Sequence, residues 1–281
     1  MICSTNQPHR DLRLDETPEG GLHPPSLSVI IPAYNEIATI GELVTRVMAA
    51  PYPKQIIIVD DGSTDGTAAA LAHWRDTPGL VILTHPTNLG KGHAIRTGLS
   101  HAHGVFTLVQ DADLEYDPGD YARLLEPLLA GEADMVLGSR YLNGGHRGVG
   151  WFFRLGVHGL NWAVRVLYGI KLTDEATCYK VTRTAILRRM DLRCSRFEFC
   201  PEVIAKACRM GLRIVEVPVS YSPRGKSDGK KIRLRDGVAA LRALWRWRQW
   251  EGPAGEGTPS EEIAVRRPRH VALPKTQFAV R

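Results

Sequence analysis

The chain has 281 residues, 43% hydrophobic and 23% charged, an ordinary balance for a globular core of one large or two small domains. Its net charge of +6 and pI near 9.1 point to an anionic partner, with nucleotide, nucleic acid and anionic membrane all admissible. Five cysteines (Cys3, Cys178, Cys194, Cys200, Cys208) lack C-x-x-C spacing, residues 1–25 lack a leader's apolar core, and no run reaches the roughly 18 apolar residues a span needs, so a metal or disulfide framework, a secretory leader and a membrane span are not expected.

Residues 1–25 carry Pro, Gly and charge without apolar periodicity and read as a flexible tail, as do 251–281. Between them, short apolar runs alternate with helical patterns. The runs are Leu27 to Ala33, Gln55 to Asp60, Leu80 to Thr84, Val105 to Gln110 and Asp134 to Gly138. Helices are predicted at about 38–50, 65–76, 91–103 and 118–131. This alternation predicts an α/β domain with a mainly parallel sheet and helices on both faces. Ligands in such sheets bind beyond the carboxyl ends of the strands, so the polar residues there are the candidates.

Asn35 and Glu36 end the first run, Asp60 and Asp61 the second. A glycine turn and an N-capped helix account for Ser63, Thr64 and Asp65 but leave the paired aspartates unexplained. A carboxylate against a nucleobase edge or a ribose would explain them. Asn88 to His93 opens a helix with two glycines and Lys91, where amides and a cation can meet phosphate; the spacing is not that of a P-loop. After the fourth run, Asp111, Asp113 and Glu115 alternate, and an extended backbone would point all three one way. Alone this is a common acidic turn. At a buried strand end it suits Mg²⁺ or Mn²⁺ bridging a diphosphate.

Arg140 follows the fifth run. In 151–170, Arg154, His158, Asn161 and Arg165 recur at helical spacing on one face of an otherwise apolar stretch, either a core helix with a polar edge or an interfacial helix. A strand at Arg213 to Tyr221 leads into a basic loop, Tyr221 to Lys231. A basic helix follows, Ile232 to Trp250, with Trp245, Trp247 and Trp250 near its end.

In this order, SLSVIIPAYNE (26–36), QIIIVDDGSTDGT (55–67), NLGKGHAIRTGL (88–99), VQDADLEYDP (109–118) and VLGSRY (136–141) resemble glycosyltransferase family 2, and within it the dolichyl-phosphate mannose and glucose synthases. The resemblance covers about residues 26–235 and implies a GT-A catalytic domain, a nucleotide-diphosphate sugar donor and a divalent metal, Mg²⁺ or Mn²⁺. It implies donor contacts at Pro32, Tyr34, Glu36, Asp61, Lys91 and Asp111. It implies metal ligands at Asp111, Asp113 and Glu115, with Asp113, Arg140 and Asp174 catalytic. Arg140, Arg154 and Arg224 match arginines on an acceptor phosphate. His158, which stands where relatives carry a small hydroxyl residue, is counted with them as an expected acceptor-phosphate contact.

The expected function is an inverting hexosyl transfer to a polyprenyl, dolichyl-type phosphate, by a cytoplasmic protein peripheral on an anionic membrane face through the helices at 151–170 and 236–250. A phosphate monoester, with its second pKa near about 6, needs cations to hold it rather than a base. The alternative is glycosylation of a hydroxyl on a soluble or saccharide acceptor, with Asp174 or Glu175 as base. Non-catalytic nucleotide binding and nucleic-acid binding are further alternatives. The acidic rim and scattered positive charge argue against nucleic acid as a partner.

Overall fold

The computed structural model describes residues 27–142, 151–224 and 234–252. The tail expected at 1–25, nearly all of that at 251–281, and the basic loop from Gly225 to Lys231 lie outside the described residues.

The alternation emerges as β1 (Leu27–Ala33), α1 (Ile40–Ala49), β2 (Lys54–Asp60), α2 (Thr67–Leu71), β3 (Leu80–Thr84), α3 (Lys91–Ser100), β4 (Phe106–Val109), α4 (Tyr121–Leu129) and β5 (Met135–Ser139). Two predicted helices differ in detail. The one expected at 65–76 ends in a 3₁₀ turn over Ala72–Trp74, and the one expected at 118–131 begins with a 3₁₀ turn, Pro118–Asp120. Pro118 fixes φ at that first position, and Asp117 accepts from the Gly119 amide.

The second half adds α5 (Trp151–Tyr168), β6 (Lys180–Arg183), α6 (Thr184–Arg189), α7 (Phe199–Arg209), β7 (Ile214–Pro218) and α8 (Leu234–Trp247). The strand expected over 213–221 is thus shorter, and Tyr221 instead forms an isolated bridge with Tyr116. The sheet order is β3-β2-β1-β4-β6-β5-β7. Every pairing is parallel except those of β6, which runs antiparallel between β4 and β5. Successive residues of β1, β4 and β5 are buried, and since side chains alternate between faces, both faces of the sheet are covered. On one face α3 lies close: a Cβ on Gly98 would come within 2.5 Å of Ile30 Cγ2. Glycine there sets the depth at which α3, and Lys91 at its start, rest on the sheet.

Candidate active site

The parallel register places Ala33 beside Asp60 and Ile30 beside Val109, so the polar ends of β1, β2 and β4 meet at one edge of the sheet. Pro32 and Tyr34 are half-buried there, and Glu36 and Asp61 are buried. Asp61 is held from within. Its Oδ1 accepts from His85 Nδ1 (2.7 Å) and the Leu89 amide (2.9 Å), and its Oδ2 from the Gly90 amide (2.7 Å). Beyond it, His85 Nε2 lies 3.0 Å from the Thr97 hydroxyl. Asp61 therefore shapes the loop that presents Lys91. The neighbouring Asp60 accepts from the Ser63 amide through Oδ1 (3.1 Å), whereas its buried Oδ2 has no hydrogen-bond partner among the described residues.

Lys91 reaches over the loop to Asp111, Nζ to Oδ1 2.5 Å, with the Cys178 thiol donating to the same oxygen (3.1 Å). Burial works against the Lys91 charge, but the Asp111 carboxylate overrides it and holds Lys91 well above its usual value. Gly90, at φ +100°, is packed against the Ser195 carbonyl, and a side chain there would displace the start of α3.

The acidic segment is a turn rather than an extended strand. Leu114 takes φ +61°, a left-handed conformation, so the alternating geometry expected of Asp111, Asp113 and Glu115 does not form. Asp113 is instead crowded. Burial first, then the charges of Asp111 and Glu115, push its carboxyl up to about 7. Glu115 turns the other way, accepting from the Tyr221 hydroxyl (2.5 Å) and the Arg224 amide (3.0 Å). Arg224 itself crosses the rim, its Nη2 donating to Glu36 (2.6 Å) and its Nε to the Asp113 carbonyl (3.0 Å). Among the described residues no group of three or more His, Cys, Asp or Glu is arranged to hold a metal ion.

Arg140 lies just beyond β5, 5% exposed, in a bidentate pair with Asp174: Nε to Oδ2 2.7 Å, Nη2 to Oδ1 2.8 Å. The Arg140 amide also donates to Oδ2 (3.0 Å). The guanidinium sits 5.1 Å from the Tyr221 ring centroid, 5.9 Å from Tyr141 and 6.0 Å from Tyr116. Asp174 is fully buried, with both oxygens engaged by Arg140, a poor arrangement for a general base. Glu175 is also fully buried, has neither oxygen hydrogen-bonded among the described residues, and is pushed up to about 7, mainly by burial.

On α5, Arg154 and His158 are exposed; the His158 ring lies 6.4 Å from that of Tyr141, the residue after Arg140, and the Arg154 charge also acts on Tyr141. Asn161 does not share their face. It is buried beside Val157 and Val164, donating to the Thr173 carbonyl (2.7 Å) and accepting from the Glu175 amide (2.8 Å). The i, i+7 step from Arg154 turns about 20° short of two full turns, and contact with the 173–175 turn draws the amide inward.

Four participants escaped sequence reasoning: His85, Tyr116, Cys178 and Tyr221. None sits in a pattern that separates it from core packing. Only the proximity of Cys178 to the noted Asp174–Glu175 pair gave any signal.

Residues 28–195 match Glycosyl transferase family 2. The chain is 32% identical over 242 residues to the undecaprenyl-phosphate mannosyltransferase of Micrococcus luteus, covering 79% of this chain and 95% of that one. It is 34% identical over 222 residues to the polyprenol monophosphomannose synthase of Mycolicibacterium smegmatis, covering 73% and 82%. In three dimensions it resembles glucosyl-3-phosphoglycerate synthase of Mycobacterium tuberculosis, crystallised with Mn²⁺ and UDP, with a TM-score of 0.61 at 20% identity over 80% of each chain. That likeness establishes the GT-A fold. With the motifs in order along one sheet edge and the match spanning more than half of its length, the chain belongs to glycosyltransferase family 2.

Proposed function

We propose that this protein transfers a hexose, with inversion, from a nucleotide-diphosphate sugar to a polyprenyl phosphate. The observation that carries this reading is Arg140, a buried guanidinium locked by Asp174 beside Tyr141, which His158 and Arg154 of α5 approach, while the two neighbouring carboxylates are kept from solvent, Asp174 by its pair with Arg140 and Glu175 by complete burial. A site that offers cations and withdraws its nearest carboxylates from solvent suits an acceptor that arrives already anionic. The relatives named for polyprenyl phosphates accord with it.

In the displacement, a phosphate oxygen of the acceptor attacks the anomeric carbon while the bond to the diphosphate breaks, its electron pair leaving with the nucleotide. Arg140 and Arg154 hold and orient the acceptor, and Lys91 stands where it can meet charge growing on the diphosphate. Arg224 donates to Glu36 through Nη2 and to the Asp113 carbonyl through Nε, and its remaining N–H groups would serve the acceptor from that position. Asp111 and Asp113 fit a divalent cation such as Mg²⁺ or Mn²⁺. Their hard oxygens and the unrelieved repulsion at Asp113 call for a cation, and such ions bind through one or two carboxylates plus substrate phosphates. When bound, the metal would neutralise charge on the leaving diphosphate.

The protein would work as a peripheral membrane enzyme on the cytoplasmic face. Among the described residues no helix is long and apolar enough to cross a membrane. Two neighbouring helices, joined by the Tyr168 hydroxyl donating to the Leu244 carbonyl (2.5 Å), carry exposed apolar rows. On α5 these are Leu155, Trp162 (67% exposed) and Val166; on α8 they are Val238, Leu241 and Trp245 (57%). Trp247 instead covers the Lys206 ammonium at 3.8 Å and faces the protein. Replacing Trp162 and Trp245 together by Glu is expected to weaken flotation with anionic vesicles about tenfold or more, since each replacement removes an aromatic anchor and adds repelled charge. Unchanged flotation would remove these helices from the membrane contact.

The defining experiment follows radiolabel from UDP-glucose, GDP-mannose and UDP-N-acetylglucosamine, with manganese, into an organic-extractable polyprenyl phosphate. Labelled lipid from one donor is the expected result. Nucleotide release that needs a soluble hydroxyl acceptor and yields no labelled lipid would overturn the reading.

A further inference from the structure

Arg140 owes its direction to the turn Thr173–Asp174–Glu175, and that turn is held by side chains from three separate elements. Glu216 of β7, buried, accepts from the Thr173 amide (2.8 Å to Oε2, 3.0 Å to Oε1) and from the Asp174 amide (2.9 Å). Asn161 of α5 takes the Thr173 carbonyl and the Glu175 amide, at 2.7 and 2.8 Å. Ser139, the last residue of β5, places its hydroxyl 2.6 Å from that of Thr173. Five polar backbone and side-chain groups of a three-residue turn are thereby paired, and the turn's own carboxylate closes on Arg140.

Asn161 holds a second position in this arrangement. It sits on the same helix as Arg154, seven residues on, so its two hydrogen bonds also fix that helix against the Arg140 turn. The acceptor cations come from two elements: Arg140 from the end of β5, Arg154 from α5. The separation between two cations that grip one phosphate must be held to a fraction of an ångström. Buried hydrogen bonds to backbone groups can do this, because breaking one strands a polar group in the interior.

We infer that Asn161 and Glu216 are positioning residues for the acceptor phosphate, setting the spacing of Arg140 and Arg154 without touching either substrate. The inference rests on the polyprenyl-phosphate reading for the identity of the acceptor. It differs from a general stabilising role in what it predicts for the two substrates: the donor contacts at β1, β2 and α3 lie outside this brace, so donor use is spared.

The test measures KM for donor and acceptor separately in the full chain. Asn161→Leu, which keeps volume and removes both hydrogen bonds, is expected to raise the acceptor KM about tenfold to a hundredfold. Its donor KM should stay within about twofold, the range expected of sites that do not couple. Glu216→Gln, isosteric and still able to accept one hydrogen bond, should move the acceptor KM the same way by less. Ser139→Ala removes the Thr173 hydroxyl partner and the acceptor of the Tyr141 amide (3.1 Å) but leaves the Glu216 and Asn161 bonds to the turn, and should give the smallest rise. Acceptor and donor KM rising in parallel, or an acceptor KM unmoved in variants that fold, would overturn the inference. Should Asn161→Leu be insoluble, the Glu216→Gln and Ser139→Ala values decide by the same split. The functional reading fails separately, in the parent chain: if that chain passes sugar to a hydroxyl acceptor and not to lipid phosphate, the brace is judged by the KM for that acceptor.

Discussion

Asp113→Asn protein is expected to lose sugar transfer by about a thousandfold or more, the scale of removing a dominant electrostatic group from a transition state. It is also expected to unfold at a higher temperature than the parent chain in metal-free buffer at pH 8. Both results come from one cause. Asp113 is desolvated and faces Asp111 and Glu115, so its carboxyl titrates at about 7 instead of near the ordinary 3.8. Between those two values the folded chain binds a proton that the unfolded chain has released. Stability therefore falls as pH rises through the window, and at pH 8 the charge is held against its preference. Asparagine removes that burden and, on the function proposed above, a metal ligand. Melting curves with and without manganese separate the effects: the ion should raise the parent's midpoint and leave the variant's unmoved. Near-normal transfer by the variant would remove Asp113 from the metal site. An unchanged or lower metal-free midpoint would mean that the repulsion at the rim is already relieved from within the protein.

The convergence of the polar strand ends was readable from sequence, and the surroundings of Arg140 were not. Glu36, Asp60, Asp61 and Asp111 follow strands whose apolar runs are unambiguous, and parallel pairing brings such ends together whatever their exact register. The acceptor half depends on β6, Lys180–Arg183, which lies antiparallel between β4 and β5. Its four residues alternate too briefly to mark a strand, and its reversed direction breaks the βαβ rhythm from which the rest was read. Without β6 there is no reason to place the 173–175 turn against Arg140, and Asp174 reads as a free base. Asn161 fails for a related reason. Helical spacing assigned it to the face of Arg154 and His158, whereas two backbone groups of the turn draw it into the interior. In each case a polar residue was taken to face a ligand when its partner lay inside the protein, the Arg140 guanidinium for Asp174 and buried backbone for Asn161. The distinction is invisible in a pattern that records only polarity.

The geometry of Asp174 leads to the second large effect, because the two acceptor readings assign it opposite work. As a base it would collect a proton, and Asp174→Asn would lower kcat, leave the acceptor KM alone and erase the acidic limb of the pH–rate profile. As the counter-ion of Arg140 it does something else. The pair is almost fully withdrawn from water, with side chains 6% and 0% exposed. Removing one partner of a buried pair costs about 3–5 kcal/mol, because the other charge is left uncompensated. Asp174→Ala is therefore expected to lower the midpoint of unfolding by roughly 10 °C in a chain of this size. The milder Asp174→Asn should raise the acceptor KM about a hundredfold by letting the Arg140 fork turn, while the acidic limb of the profile persists. Joining Arg140→Met to Asp174→Leu tests the same point from the other side. Apolar side chains of similar volume often replace a buried ion pair at little cost, so this double variant should melt close to the parent. Its use of lipid phosphate should nonetheless stay as poor as that of Arg140→Met alone, since with the arginine gone Asp174 has nothing left to position. If restoring a partner-free aspartate in the Arg140→Met background instead recovers transfer, Asp174 acts on the substrate directly, and the hydroxyl acceptor becomes the better account of this site.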